Sequence, residues 1–117
     1  MQRLMLKSKI HRATVTGTAL HYEGSITIDK DLLDRAEILP GEQVHVLNCS
    51  NGERFVTYAI AAVAGSGTIL LNGPAARLGY EGDKVVILTY ALAGPDEIGD
   101  WHPTVVLVDD ENQPREK

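Results

Sequence analysis

Apolar and polar positions alternate with a period near two along most of this chain, and one short stretch departs to a helical spacing. Met1–Gly17 alternates loosely, with Lys7, Lys9 and His11 on one face and Ser8, Ile10 and Arg12 on the other. Ser25–Ile28 is a short β-prone run. Asp29 then has the character of a helix N-cap, followed by an apolar stripe of Leu32, Leu33 and Ala36. That helix is expected to stop near Leu39-Pro40-Gly41, because the residue before a proline disfavours helical backbone. Val44–Cys49 and Arg54–Ala61 flank Asn51-Gly52, a hairpin signal resting on the tolerance of both residues for positive φ. Thr68–Leu71, Val85–Ala91 and Thr104–Val108 complete the predicted strands. The polar tail from Asp109 onwards is expected to fray.

A weak repeat divides the chain. Pro40-Gly41-Glu42-Gln43-Val44-His45-Val46 resembles Glu81-Gly82-Asp83-Lys84-Val85-Val86-Ile87. In each copy a β-prone run and a short helical stretch lead to a glycine and a carboxylate, then to an apolar strand. Two such halves cannot bury their cores alone. The Gly-acid turn resembles that of double-psi β-barrels, in which two interleaved halves close one small barrel. The expected fold is therefore mainly β: a six-stranded double-psi β-barrel with short helices, in one domain spanning residues 1–117. Closure would also remove exposed strand edges.

Composition narrows the functional classes. The 117 residues are 44% hydrophobic, enough for one core and inconsistent with disorder. The longest apolar runs, such as Ala59–Ala64 and Val105–Val108, are too short to span a bilayer, and no signal peptide is expected at the N-terminus. Cys49 is the only cysteine, so it has no internal disulfide partner, and a small buried strand residue is the expected role. These features predict a cytoplasmic protein. The net charge of −5 with few aromatics argues against nucleic-acid binding. The N-terminal segment nevertheless gathers Arg3, Lys7, Lys9 and Arg12 against Glu23 alone, which suits a small anionic ligand. His21, His45 and His102 lack metal-ligand spacing, and no G-x-S-x-G hydrolase motif is present.

The chemistry is concentrated around Leu20-His21-Tyr22-Glu23-Gly24-Ser25-Ile26-Thr27-Ile28-Asp29. Read alone, Gly24-Ser25 is a turn before a strand, Lys9 and Arg54 are solvated strand charges, and Tyr58 is a half-buried aromatic. Taken with Lys9-Ile10-His11-Arg12, Arg54-Phe55-Val56-Thr57-Tyr58-Ala59-Ile60, Asn72-Gly73-Pro74-Ala75-Ala76-Arg77 and Pro103-Thr104, the segment resembles the processing site of bacterial aspartate 1-decarboxylases. The matching motifs run in order over most of the chain.

That resemblance implies a self-cleaving, pyruvoyl-dependent enzyme. Ser25 Oγ would attack the Gly24 carbonyl, whose glycine is unhindered, and the chain would part into a β-chain of residues 1–24 and an α-chain of residues 25–117. The serine would become a covalent pyruvoyl cofactor, which forms a Schiff base with L-aspartate and accepts the electrons released on decarboxylation to β-alanine. Tyr58 would return the proton; a phenol of pKa ~10 is protonated at neutral pH. Lys9 and Arg54 would hold substrate carboxylates, together with the loop Gly73, Pro74 and Ala75. Thr57 and Asn72 would assist self-processing with Gly24 and Ser25, and His11, Tyr22 and Glu23 belong to the same neighbourhood. Leu47 stands where many relatives carry Trp, and Pro74 where Ala is common, changes that bear on substrate affinity.

The family further implies a homotetramer with active sites between subunits, a place in pantothenate and hence coenzyme A biosynthesis, and no nucleic-acid or membrane partner. Some relatives need a helper protein for maturation, which the resemblance leaves open here. The alternative from another class is a non-catalytic small β-barrel binding or regulatory module sharing the Gly-acid turn. Intact mass after long incubation separates the two.

Overall fold

The computed structural model describes residues 1–116. Its strands are β1 (Arg3–Thr14), β2 (Gly17–Ala19), β3 (Ser25–Asp29), β4 (Gln43–Asn48), β5 (Arg54–Ala62), β6 (Ile69–Asn72), β7 (Lys84–Ala93), β8 (Thr104–Val108) and β9 (Pro114–Arg115), with helices α1 (Lys30–Ala36) and α2 (Pro95–Ile98). They are hydrogen-bonded in the order β2-β6-β3-β5-β4-β7-β1-β8-β9. This order returns on itself, because β2 continues β1 after only Val15 and Thr16. Those two linking residues bond to both sides: Val15 N–H donates to the Asp83 carbonyl at 2.9 Å, and Thr16 N–H to the Ile69 carbonyl at 2.8 Å. The ring is therefore a six-stranded double-psi barrel in which β1 and β2 act as one strand. β8 and β9 form a hairpin outside it, joined to β1 through a parallel ladder.

The repeat has a physical basis. Gly41 and Gly82 have φ of 90° and 94°, a region that only glycine enters freely. Gly41 N–H donates to the Ala59 carbonyl at 2.7 Å, and Gly82 N–H donates to the Val15 carbonyl at 2.8 Å. The acid that follows each glycine caps the turn from inside. Glu42 Oε1 accepts from Leu39 N–H at 3.0 Å, and Asp83 Oδ2 accepts from Tyr80 N–H at 2.9 Å. Each turn thus aims its apolar strand, β4 or β7, into the barrel. Between them, Ile10, Val15, Ile26, Ile28, Leu32, Val44, Val46, Ile69, Leu71, Val85 and Ile87 are fully buried. At roughly 1.5–3 kcal/mol per buried aliphatic side chain, this core is the principal stabilising term.

Several local expectations need correcting. Asp29 does cap α1, accepting from Asp31 N–H at 2.8 Å, but its carboxylate also receives Gly65 and Gly67 N–H at 2.9 and 2.8 Å, tying the helix start to a distant loop. The helix ends at Ala36, before the proline can act, because Glu37 turns left-handed with φ 58° and lets Ile38 N–H close onto the Leu33 carbonyl. Arg12 does not share the inner face of Ser8 and Ile10: a bulge in the β1–β7 ladder places it at φ 60°, exposed, while Ala13 turns inward. The β4–β5 turn is wider than a two-residue hairpin, and only Gly52 uses positive φ. Cys49 lies just beyond β4 and is exposed. The tail does not fray at Asp109. Asn112 is fully buried and bonds Thr14 N–H, the Thr14 carbonyl and the Gly67 carbonyl at 2.7–2.8 Å, fastening β9 in place. No helix among the described residues is long and apolar enough to cross a membrane.

Candidate active site

Strand register assembles the site. β3 begins at Ser25, which pairs with Asn72, the last residue of antiparallel β6. Both side chains are buried, Ser25 at 0% and Asn72 at 1% exposure. Ser25 Oγ donates to the Glu23 carbonyl at 3.0 Å and accepts from Asn72 Nδ2 at 3.0 Å. The second amide hydrogen of Asn72 goes to Thr27 Oγ1 at 2.7 Å. The serine hydroxyl is thus oriented at both ends by groups that are themselves held.

On the other side, β5 runs parallel to β3 with Ala59 opposite Ile26. Continuing that alignment two residues back, Thr57 of β5 comes opposite Gly24, just before β3, and its hydroxyl donates to the Gly24 carbonyl oxygen at 3.4 Å. Adjacent Tyr58 donates to Glu23 Oε2 at 3.4 Å. Partial burial of the phenol, then the charge and hydrogen bond of Glu23, then Tyr22, hold Tyr58 above its ordinary pKa. It is therefore a protonated donor at neutral pH.

Gly73 opens a short 3-10 helix, Gly73–Arg77, with Pro74 in its first turn. A cavity of about 230 Å³ lies between this helix and β5, lined by Gly24, Phe55, Thr57, Pro74, Ala75 and Leu78. It is smaller than the ~300–1,000 Å³ typical of drug-sized ligands and suits a small metabolite.

The other expected residues stand apart within one chain. Lys9 lies on β1 between Leu88 and Val105, and its side chain forms no hydrogen bond or ion pair among the described residues. Arg54 is exposed at the start of β5, where Nη2 donates to Tyr90 Oη at 3.3 Å. Leu47 is directly opposite Arg54 in the β4–β5 ladder. His11 is half-buried with a buried, unpartnered Nδ1, and burial followed by the charges of Lys9, Arg12 and Arg115 lowers its pKa. Tyr22 is 55% exposed, and its backbone carbonyl packs against Gly73. Gly24, Ser25, Glu23, Thr57, Tyr58 and Asn72 therefore converge on one point, with Tyr22, Gly73, Pro74 and Ala75 around it. Among the described residues no hydrogen bond or ion pair links the cations Lys9 and Arg54, or His11, to this group.

Two residues that hold the expected ones were not anticipated. Thr27 completes the hydrogen bonding of Asn72, and strand alternation could have found it, since positions 25 and 27 of one strand share a face. Tyr90, which touches Arg54, carries no local signal.

The chain is similar to known proteins over almost its whole length. Residues 1–115 match the family model described as aspartate decarboxylase. The aspartate 1-decarboxylase of Syntrophobacter fumaroxidans is 60% identical over 114 residues, covering 97% of this chain and 92% of the relative. That of Chloroherpeton thalassium is 57% identical over 115 residues, covering 98% and 85%. That of Thermoanaerobacter pseudethanolicus is 55% identical over 114 residues, covering 97% of both. With the barrel in place, the buried Ser25 bonded to Asn72, and the match spanning nearly every residue, the chain belongs to the aspartate decarboxylase family.

Proposed function

We propose that this protein converts L-aspartate to β-alanine and carbon dioxide, supplying pantothenate and coenzyme A synthesis, after cutting itself between Gly24 and Ser25. The single observation that carries the reading is the environment of Ser25: a buried hydroxyl oriented by Asn72 and the Glu23 carbonyl, next to a peptide whose oxygen already receives Thr57. In the cut, the Oγ–C bond to Gly24 forms as the C–N bond breaks, and the hydroxyl proton passes to the freed amine. Thr57 steadies the negative charge that builds on the Gly24 oxygen. Loss of the Ser25 Cα proton then expels the Gly24 carboxylate, leaving dehydroalanine; water enters and ammonia leaves. The products are a 1–24 chain and a 25–117 chain that begins with a pyruvoyl group.

Ser25 fits this group as its precursor: it is buried, Asn72 holds its Oγ until that oxygen leaves with Gly24, and the same buried position then shelters the new carbonyl on its Cα. Once formed, the pyruvoyl carbonyl supplies the electrophile and electron sink that decarboxylation requires. The chain's own residues do the rest. Tyr58 delivers a proton from a phenol that remains neutral, Thr57 and the Gly73–Pro74–Ala75 turn border the small cavity, and Lys9 and Arg54 pair with carboxylates.

Lys9 lies between β7 and β8, and Arg54 bonds only Tyr90 among the described residues, so neither is tied to Ser25 within one chain; this supports a site completed by a second subunit, as in a homotetramer. So does apolar surface on the outer sheet face: Leu4 and Leu92, directly paired between β1 and β7, are 70% and 62% exposed, and Val56 is 53% exposed. Cytoplasmic residence accords with the exposed, unpaired Cys49. Denaturing mass spectrometry tests the reading: two fragments divided at Gly24, the larger pyruvoyl-capped, with β-alanine formed from aspartate. A chain that remained intact and inert after prolonged incubation would restore the non-catalytic module as the better account.

A further inference from the structure

Gly73 sits beside the bond that the proposed reaction breaks, and the reason for a glycine there is unusually sharp. A Cβ at position 73 would lie 2.7 Å from the Tyr22 carbonyl oxygen and 2.8 Å from both the nitrogen and the Cα of Gly24. Carbon atoms in good contact are ~3.5–4.0 Å apart. All three neighbours are backbone atoms, so no rotamer change relieves the overlap; the 22–24 segment itself has to move. The reverse face is also close, since a Cβ on Gly24 would lie 3.1 Å from Pro74 Cδ. The residue before Gly73 is Asn72, whose amide holds Ser25 Oγ. The same short stretch therefore fixes both reactants, the hydroxyl through Asn72 and the carbonyl segment through the space left at Gly73.

Resting on the self-cleavage reading above, we propose that Gly73 is a positioning residue for that cleavage: its missing side chain lets the 22–24 backbone lie in the conformation in which the Gly24 carbonyl carbon faces Ser25 Oγ. This role precedes any contact with aspartate. Two effects of substitution have to be separated, because Gly73 also has φ +61°. A side chain there would carry left-handed strain as well as the overlap. Asparagine tolerates the left-handed region far better than alanine, but its Cβ occupies the same space. Gly41 offers the opposite control: φ +90°, with nothing within 4 Å of a Cβ.

The experiment follows self-cleavage of the freshly made full-length chain by denaturing mass spectrometry for the wild type, Gly73→Ala, Gly73→Asn and Gly41→Ala. Hydroxylamine is added in parallel to trap the Gly24 ester, and thermal melting is recorded on the uncut Ser25→Ala version of each. Both Gly73 variants are expected to cut about a hundredfold more slowly, the scale of a 1 Å misplacement of reacting groups, with less trappable ester. Gly41→Ala is expected to melt lower yet cut at the wild-type rate. Wild-type cutting in either Gly73 variant overturns the proposal while leaving the self-cleavage reading intact. So does Gly73→Asn cutting much faster than Gly73→Ala, which would make backbone strain the cause, or Gly41→Ala slowing as much as they do. Absence of a folding transition in both Gly73 variants also overturns it, by making the glycine a requirement of the fold. A wild-type chain that never cuts removes the underlying reading and the proposal with it.

Discussion

The Thr57 hydroxyl donates to the Gly24 carbonyl oxygen at 3.4 Å, on the peptide bond proposed to break. The parallel register of β5 with β3 places it there, and the long separation leaves room to shorten as the oxygen gains charge. Valine has the same shape and the same preference for strands but no donor. Thr57→Val is therefore expected to fold normally and to cut about a hundredfold more slowly, the usual effect of losing one oxyanion donor. The time course of intact mass measures this, and cutting at the wild-type rate would remove Thr57 from the reaction.

Tyr58 and Glu23 form the second relationship with a measurable consequence. Burial, then the Glu23 carboxylate, raise the phenol above its ordinary value of 10.0. A raised pKa keeps the donating, protonated form present through neutral pH, and it is lost only as pH climbs past that ordinary value. In the uncut Ser25→Ala chain, Glu23→Gln should shift Tyr58 ionisation to lower pH. The phenolate absorbance that disappears in the matching Tyr58→Phe protein reports it. Ionisation at the same pH with and without the carboxylate would contradict the assigned cause.

Arg54 has one partner among the described residues, the Tyr90 hydroxyl at 3.3 Å, and the Tyr90 ring is packed edge-on against His45 with centroids 5.0 Å apart. If Arg54 grips a substrate carboxylate, Tyr90 steers it. Tyr90→Phe keeps the ring and its packing but removes the acceptor. KM for aspartate is expected to rise about three- to tenfold, the worth of one ordinary hydrogen bond, with kcat retained. A fall in kcat at unchanged KM would assign Tyr90 a different role.

Asp83 links fold stability to pH. Hydrogen bonds from the Asn48 side chain and from Tyr80 N–H hold its carboxyl below the usual 3.8. Since the folded pKa is the lower one, the stabilisation is fully present above the unfolded value and is withdrawn as pH falls toward the folded one. Asp109, whose carboxylate accepts from Gln113 and Glu111 N–H, shifts in the same direction. Asp83→Asn should lower the melting temperature at neutral pH and flatten its decline in acid. An unchanged acid slope would show that the turn does not depend on this ionised group.

The parts of the molecule legible in the sequence are those whose physics is local. A glycine required at positive φ, with a carboxylate three residues after the N–H it caps, marks the same turn wherever it occurs, and Gly41-Glu42 and Gly82-Asp83 could be recognised in this way. Asp29 as a helix cap, the alternating strands and the ordered motifs around Gly24-Ser25 belong to the same class.

Tertiary structure decided whatever depended on register and closure. The bulge that exposes Arg12 arises in the ladder between β1 and β7, and the burial of Asn112 depends on Thr14 and Gly67, both far away in sequence. The family motifs had grouped Lys9, Arg54, Thr57, Tyr58 and Asn72 around Ser25. The barrel brings together only the last three, because Thr57 and Tyr58 face the 23–24 segment through the β3–β5 register and Asn72 faces Ser25 through the β3–β6 register. Lys9 is on β1, which does not pair with β3, and Arg54 starts β5 three residues before Thr57, where its bonded partner is Tyr90 of β7. Sequence order lists the residues that a reaction needs, whereas strand pairing determines which of them a single chain can present together.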